Sequence, residues 1–196
     1  MPSTESLQQP LAAADRSTLL KLAADSIRVG LESRSPLRVQ ASVYSDALQR
    51  TGACFVTLKL NGNLRGCIGH LEAHQPLVAD VAENAFSAAF RDPRFAPLRP
   101  QELESLEIEI SILSSPQPLP IESEQDLARK LRPGIDGLIL QIGGRRATFL
   151  PSVWESLPTA RDFIAQLKRK AGFASDFWSD QVRAWTYQSQ SISAAD

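Results

Sequence analysis

Apolar and polar residues alternate on both sides of an Asn-Gly pair in the first half of the chain. One apolar run covers residues 54–60, the turn is Asn61-Gly62-Asn63, and a second run covers 64–69. Alternation around Asn-Gly is typical of a β-hairpin. The pattern therefore predicts a hairpin over about residues 52–71.

Two registers of this hairpin are open. A two-residue loop would place Leu60 opposite Arg65 and scatter the leucines over both faces. A three-residue loop would pair the apolar residues with one another: Leu60 with Leu64, Leu58 with Gly66, and Val56 with Ile68. A shift of one residue moves every side chain to the other face, so the apolar match favours the three-residue loop. That register puts Leu64 and Ile68 in the core, and Arg65 and Cys67 on a polar face with Thr57 and Lys59.

Periodicity and capping residues predict the remaining elements. Helices are expected at about 15–33, 76–91, 123–131 and 159–171. Strict alternation predicts a strand at 106–112, and an apolar segment predicts a final strand at 181–188. A second hairpin is predicted over 136–150, because Gly143-Gly144 suits the positive φ angles of a tight turn.

The order of elements in residues 52–112 is repeated in residues 136–188. Each half reads as a hairpin, then one or more helices, then a strand. We therefore predict an α+β fold of duplicated hairpin-helix-strand units, with a mainly antiparallel sheet flanked by helices. The sheets are expected to join across the two halves and could curve toward a barrel. Residues 15–188 are predicted to form one domain, with flexible tails at 1–14 and 189–196.

Cys67 is the first candidate for chemistry, and glycines lie close to it on both sides, at positions 66 and 69. Gly66 and Gly69 indicate a bulge or the close approach of another group. On a polar face beside cations, Cys67 would favour the thiolate. The alternative is that helices cover this face and that Cys67 is a small buried hydrophobe.

Cys54 is not expected to form a disulfide with Cys67. It would face position 70 or 71, at least about 10 Å away along the strand, and a disulfide requires Cα atoms within about 7 Å. Two such cysteines and the lack of an export signal predict a cytoplasmic protein in a reducing compartment.

Further candidates come from the neighbouring segments. If the 106–112 strand joins the hairpin sheet, Glu107 and Glu109 share the face of Cys67 and, with His70, are candidates for proton transfer. The alternative is a solvated, charge-paired sheet face. Arg65 could anchor an anion. The charged loop at 91–94 offers Arg91, Asp92 and Arg94, which either bind a ligand or form local salt bridges and cap the preceding helix.

Several function classes are disfavoured. The formal net charge is −1, so no overall field attracts nucleic acid, and no glycine-rich phosphate loop is present. No apolar run is long enough to span a membrane. His70 and His74 would share a helix face near Cys67, but Pro76 argues against a helix there and zinc usually has four ligands. We assign no metal site, and no cofactor is indicated.

The motif residues and several later segments resemble the AMMECR domain family, whose bacterial and archaeal members are called protein A of the AmmeMemoRadiSam system. The signature is Leu-Arg-Gly-Cys-Ile-Gly at 64–69, after Phe-Val-Thr-Leu at 55–58. Matching segments follow in order at 77–80, 88–95, 107–113, 137–140, 149–154 and 170–172. The resemblance covers about residues 15–188. It implies an α+β fold of two unequal lobes with the motif in a cleft, and association with a Memo-type protein and a radical-SAM enzyme.

Two hypotheses for function follow. In the first, the protein is catalytic or handles a substrate, with Cys67 as the central group. In the second, it is a binding or adaptor module, and Gly66 and Gly69 serve only the geometry of the backbone. The resemblance implies no particular reaction.

Overall fold

The chain folds into two compact units, seen in a computed structural model that describes residues 10–194. One unit extends to Ser114 and includes the chain from Gln190 on; the other is Ser115–Ser189. Within the described residues, no helix is both long and apolar enough to cross a bilayer. The predicted α+β class is confirmed.

The first unit packs helices on one sheet. Its helices are α1 (Ala13–Ser33), α2 (Asp46–Gln49) and α3 (Leu77–Phe90), with short 3-10 turns at Ala41–Val43 and Pro100–Ser105. Its strands are β1 (Thr51–Leu60), β2 (Asn63–Gly69), β3 (Gln75–Pro76) and β4 (Leu106–Leu113), and β9 (Ser189–Ser193) returns to it. The strand order is β2-β1-β4-β9, and β3 pairs with β1.

The second unit contains the repeat. Its elements are β5 (Gln117–Leu119), α4 (Glu124–Lys130), β6 (Gly137–Ile142), β7 (Arg145–Phe149), a 3-10 turn at Pro151–Glu155, α5 (Ala160–Lys170) and β8 (Val182–Tyr187). The strand order is β5-β8-β6-β7. In both units the strand after the helix pairs with the first strand of the hairpin, so the repeated order of elements corresponds to a repeated strand pairing.

A buried lysine ties α5 to α4 in this second unit. Lys168 is fully buried, and its Nζ donates to both carboxylate oxygens of Glu124 at 2.8 and 2.9 Å. A separate aromatic contact in the same unit joins Trp154 and Phe163, whose rings stack with their centroids 3.9 Å apart. Lys168 is therefore the buried member of an ion pair, because α4 places a carboxylate beside it.

Three expectations about the architecture are wrong. The two sheets formed by the described strands are open and separate, so they neither join nor close into a barrel. Residues 189–193 form β9 rather than a flexible tail, because their backbone groups find partners beside β4. α1 begins at Ala13, within the predicted N-terminal tail. Residues 1–9 and 195–196 of the predicted tails lie outside the described residues.

The turn of the first hairpin matches neither predicted register, whereas the rest of the hairpin keeps the pairs of the three-residue loop. Asn61 and Gly62 have φ angles of 51° and 75° and form a two-residue turn, for which such a pair is well suited. Leu60 therefore lies opposite Asn63, and Lys59 lies opposite Leu64. The register then shifts, and the predicted pairs of Leu58 with Gly66 and Val56 with Ile68 are restored.

The shift makes Arg65 the extra residue of a β-bulge. Leu64, which we expected in the core, is exposed for the same reason. Arg65 turns to Glu102, and its Nε and Nη2 donate to the two carboxylate oxygens at 2.8 and 3.2 Å. These hydrogen bonds lower the pKa of Glu102 to about 2. The bulge is thus held by a largely buried ion pair.

α3 lies against the hairpin at Gly66. A Cβ at this position would overlap the carbonyl oxygen of Ala88, so only glycine permits this separation of helix and strand. Ala88 and Ala89 are themselves buried. The glycine is required because backbone meets backbone there.

We expect Gly66→Ala to lower the free energy of unfolding by at least about 2 kcal/mol, because the overlap forces helix and strand apart. Urea denaturation measures this change. Gly144→Ala is the control: a Cβ there meets nothing within 4 Å, and the change should stay below about 1 kcal/mol. Equal stability of the two variants would contradict the close approach.

Glu102 generates a prediction about acid stability. Its pKa in the folded chain, about 2, lies below its ordinary value of 4.5. Its contribution to stability is therefore complete above about pH 4.5 and is lost as the pH falls toward 2. Glu102→Gln should show a shallower loss of the free energy of unfolding below pH 4.5 than the wild type does, measured by urea denaturation at successive pH values.

The control for this experiment is Glu104→Gln, at an exposed position two residues away. This variant should keep the pH dependence of the wild type. If Glu102→Gln behaved identically to Glu104→Gln, the ion pair with Arg65 would not be a determinant of acid stability.

Candidate functional site

Cys67 lies on the face of β2 that is turned away from α3. Its neighbours Gly66 and Ile68 face the helix and the core that it covers. Cys67 is half-buried, and Thr57, directly opposite on β1, donates its hydroxyl to Sγ over 3.3 Å. Thr57 is the neighbour that the predicted register placed there.

A carboxylate fixes the backbone of Cys67. β2 is an edge strand, and its Cys67 N–H donates to Oδ2 of Asp92 at 2.9 Å. Arg94 Nε and Nη2 donate to the same carboxylate at 2.9 and 2.7 Å, and Nη2 also reaches the Cys67 carbonyl oxygen at 3.3 Å. Arg94 holds the pKa of Asp92 well below its usual range. Asp92 and Arg94 thus form an ion pair with each other, and both hydrogen-bond the backbone of Cys67.

The other cysteine has a different environment. Cys54 is fully buried, and burial raises the pKa of its thiol. Both cysteines are free. Only Cys67 therefore presents a thiol that a reagent or substrate can approach in the folded protein.

The structure does not bring the predicted proton-transfer groups to the thiol. Glu109 pairs with Lys59 at 3.0 Å, and Glu107 accepts the N–H of Gly62 at 3.0 Å. His70 contacts α3, on the opposite side of the sheet, where its Nδ1 lies 2.6 Å from Asp80 Oδ1. His70, Glu107 and Glu109 therefore make no hydrogen bond to Cys67.

The predicted binding residues of the motif, Arg65, Gly66 and Gly69, make contacts within the fold that shape the strand. Two nitrogens of Arg65 bond Glu102, and the third, Nη1, is buried with no hydrogen-bond partner among the described residues. A Cβ at Gly69 would overlap the Cys54 carbonyl oxygen and the Phe55 ring. Arg65, Gly66 and Gly69 thus set the path of the strand, and Arg65 does not present a free guanidinium to an anion.

Arg91 belongs to a different part of the first unit. Its guanidinium lies over the Phe86 ring, 4.8 Å from the centroid. It borders a cavity of about 470 Å³ whose lining includes Phe90 on α3 and Gly30 on α1. Arg91 therefore does not contribute to the surroundings of Cys67.

Sequence reasoning missed two buried polar residues of α3, Asp80 and Asn84. Asp80 is fully buried, and its Oδ2 accepts from Cys54 N–H and from Asn84 Nδ2, both at 2.9 Å. A signal was present in the sequence, because α3 has apolar residues on nearly every side, so its i and i+4 polar pair had to be buried with it.

Comparisons with known proteins agree with this fold. The family model described as AMMECR1 matches residues 20–192. A protein of Methanothermobacter thermautotrophicus is 38% identical over 187 residues, which cover 92% of this chain and 95% of the relative. Protein MJ0810 of Methanocaldococcus jannaschii is 34% identical over 155 residues, or 75% of each chain.

A solved structure is similar as well. The crystal structure of the uncharacterised protein PH0010 from Pyrococcus horikoshii superposes with a TM-score of 0.81 at 28% sequence identity, covering 89% of this chain and 88% of that one. The names of these relatives state no activity, so the comparisons establish no specific function. The extent of the family match and the shared fold show that the chain belongs to the AMMECR1 family.

Proposed function

We propose that this protein handles a substrate through the thiol of Cys67, in the cytosol. The observation that carries the proposal is the hydrogen bond from the Thr57 hydroxyl to Cys67 Sγ, on a half-buried face turned away from the helices. Two free cysteines fit a reducing compartment. A thiol in a polar and partly accessible setting is typical of functional cysteines, whereas structural cysteines lie buried and inert.

The backbone around Cys67 supports the same conclusion. Asp92 bonds the Cys67 N–H and Arg94 bonds its carbonyl oxygen, so the residue is fixed on both sides of its Cα. A reactive group held by rigid neighbours keeps its orientation when a substrate arrives. Thr57, rather than His70 or either glutamate, is the group placed to exchange a hydrogen bond with the sulfur.

Labelling with iodoacetamide tests the proposal. We expect one cysteine, Cys67, to react in the folded chain and Cys54 to react only after unfolding, because Cys54 is fully buried. Thr57→Val should change the labelling rate several-fold, since the hydroxyl donor is lost, and Thr57→Ser should restore it. Peptide mass spectrometry identifies the labelled residue.

Either of two results would contradict the proposed role of Cys67. One is a thiol that reacts no faster in the folded chain than Cys54 does. The other is full activity of Cys67→Ser with a substrate once one is found. Thr57→Val must be checked for unchanged stability, so that a change in rate is not a consequence of unfolding.

A second candidate function is an adaptor that binds a Memo-type protein and a radical-SAM enzyme, as in the AmmeMemoRadiSam system. The specific observation in its favour is that Arg65, Gly66 and Gly69 serve architecture, while Leu64 in the same motif is exposed. An exposed leucine on an edge strand offers an apolar contact to a partner.

The adaptor hypothesis predicts that co-purification with such partners survives Cys67→Ser and is weakened by Leu64→Ser. Val43→Ser is the matched control, because Val43 is also an exposed apolar residue of the first unit. Binding that is lost in Cys67→Ser, or that never occurs with either partner, would count against the adaptor.

A further inference from the structure

We propose that His70 and His74, oriented by Asp80 and the Glu72 carbonyl group, bind a divalent transition-metal ion of the zinc type. The site lies on the α3 side of β2 and does not use Cys67. Candidate ligand atoms of His70, His74 and Asp80 lie within 4.8 Å of one another. The inference is independent of the proposed role of the thiol.

The tautomer of His70 is fixed by Asp80. Nδ1 lies 2.6 Å from the Asp80 carboxylate oxygen, and an ionised carboxylate can only accept hydrogen bonds. Asn84 Nδ2 lies farther from Nδ1, at 3.3 Å, so the shorter contact with the carboxylate assigns the ring proton to Nδ1 and the lone pair to Nε2. A histidine that donates its other N–H to a carboxylate is the usual arrangement around protein-bound metals.

Hydrogen bonds to both carboxylate oxygens hold the Asp80 side chain in place. Its Oδ1 accepts from Gln75 Nε2 at 3.2 Å as well as from His70. Its Oδ2 accepts from the Cys54 N–H and from Asn84 Nδ2. Asn84 is buried in turn, and its amide oxygen has no hydrogen-bond partner within the part of the chain that the structure describes. The carboxylate cannot turn away from His70 without losing several hydrogen bonds.

The ring of His74 is also oriented through its Nδ1, in this case by a backbone carbonyl group. Its Nδ1 lies 3.2 Å from the carbonyl oxygen of Glu72, which also can only accept. Nε2 of His74 therefore carries the lone pair too. The two rings meet edge to face with their centroids 4.6 Å apart, so two metal-binding nitrogens are presented by neighbouring rings.

The donor set selects the class of ion. Imidazole nitrogen suits zinc, copper and nickel, whereas magnesium and calcium prefer oxygen ligands. Ligands at metal–nitrogen distances of about 2.0–2.1 Å require the two nitrogens to be roughly 3.4 Å apart in a tetrahedral site. His74 is exposed and lies outside any helix or strand, so rotation of its side chain can supply the adjustment. Two histidines leave coordination positions open to water or a substrate.

This site differs from the set considered in the sequence. There, Cys67 was the third ligand and a helix was needed to align the histidines. Cys67 and His70 lie on opposite faces, and Asp80 of α3 orients His70 rather than replacing Cys67 as a ligand. The backbone N–H of His70 donates to the Cys54 carbonyl oxygen at 3.1 Å, which fixes the backbone beside the end of β2.

Isothermal titration of the full chain with zinc chloride, after removal of bound metal with a chelator, tests the site. We expect one zinc ion per chain, with no response to magnesium chloride. His74→Ala should weaken the binding of zinc by at least about tenfold. Asp80→Asn should do the same by releasing the tautomer of His70.

Cys67→Ser is the matched control and should bind zinc as the wild type does. Because Asp80 is buried, circular dichroism must show that Asp80→Asn is folded; His74 is exposed, so its variant remains informative in any case. No saturable zinc binding, or binding unchanged in His74→Ala, would overturn the proposal. Loss of binding in Cys67→Ser would assign the metal to the thiol face instead and would equally overturn it.

Discussion

The close approach of α3 to the first hairpin is the constraint on which the rest of the first unit depends. Gly66 meets the carbonyl oxygen of Ala88 with no side chain between them. This contact brings the N-terminal part of the helix, with Asp80, beside Cys54 and the end of β2. It also brings the segment after the helix, with Asp92, to the edge of the same strand. One backbone contact thus positions two carboxylates.

The two carboxylates serve two different kinds of chemistry. Asp92 fixes the backbone of Cys67 and is neutralised by Arg94, so it makes the thiol rigid without becoming a reactant. Asp80 bonds an imidazole ring directly and determines which nitrogen is free. Because side chains alternate along a strand, Cys67 and His70 emerge on opposite sides of the sheet. β2 and the residue that follows it therefore carry a thiol and an oriented histidine that do not act on the same atom.

Much of the fold follows from the sequence because the signals are local. Strict alternation predicts β4, a capping serine predicts the start of α4, and Gly143-Gly144 predicts the turn between β6 and β7. The repeated order of elements predicts the duplication of hairpin, helix and strand that the two units show. The register of the first hairpin was only half predicted, since apolar pairing and turn geometry disagree there and a bulge at Arg65 satisfies both.

The sequence by itself determined the α+β class, the helices and strands, the pairing of Cys67 with Thr57 and the family of the protein. These depend on periodicity, on turn residues and on a motif, all of which are read within short stretches. Only the tertiary structure decided that Arg65 is neutralised by Glu102, that Asp92 clamps Cys67, that His70 turns to Asp80 and that residues 189–193 join β4. Each of these contacts joins residues whose proximity depends on how helices and strands pack, and hydrophobic periodicity does not specify which polar groups meet when apolar faces are buried.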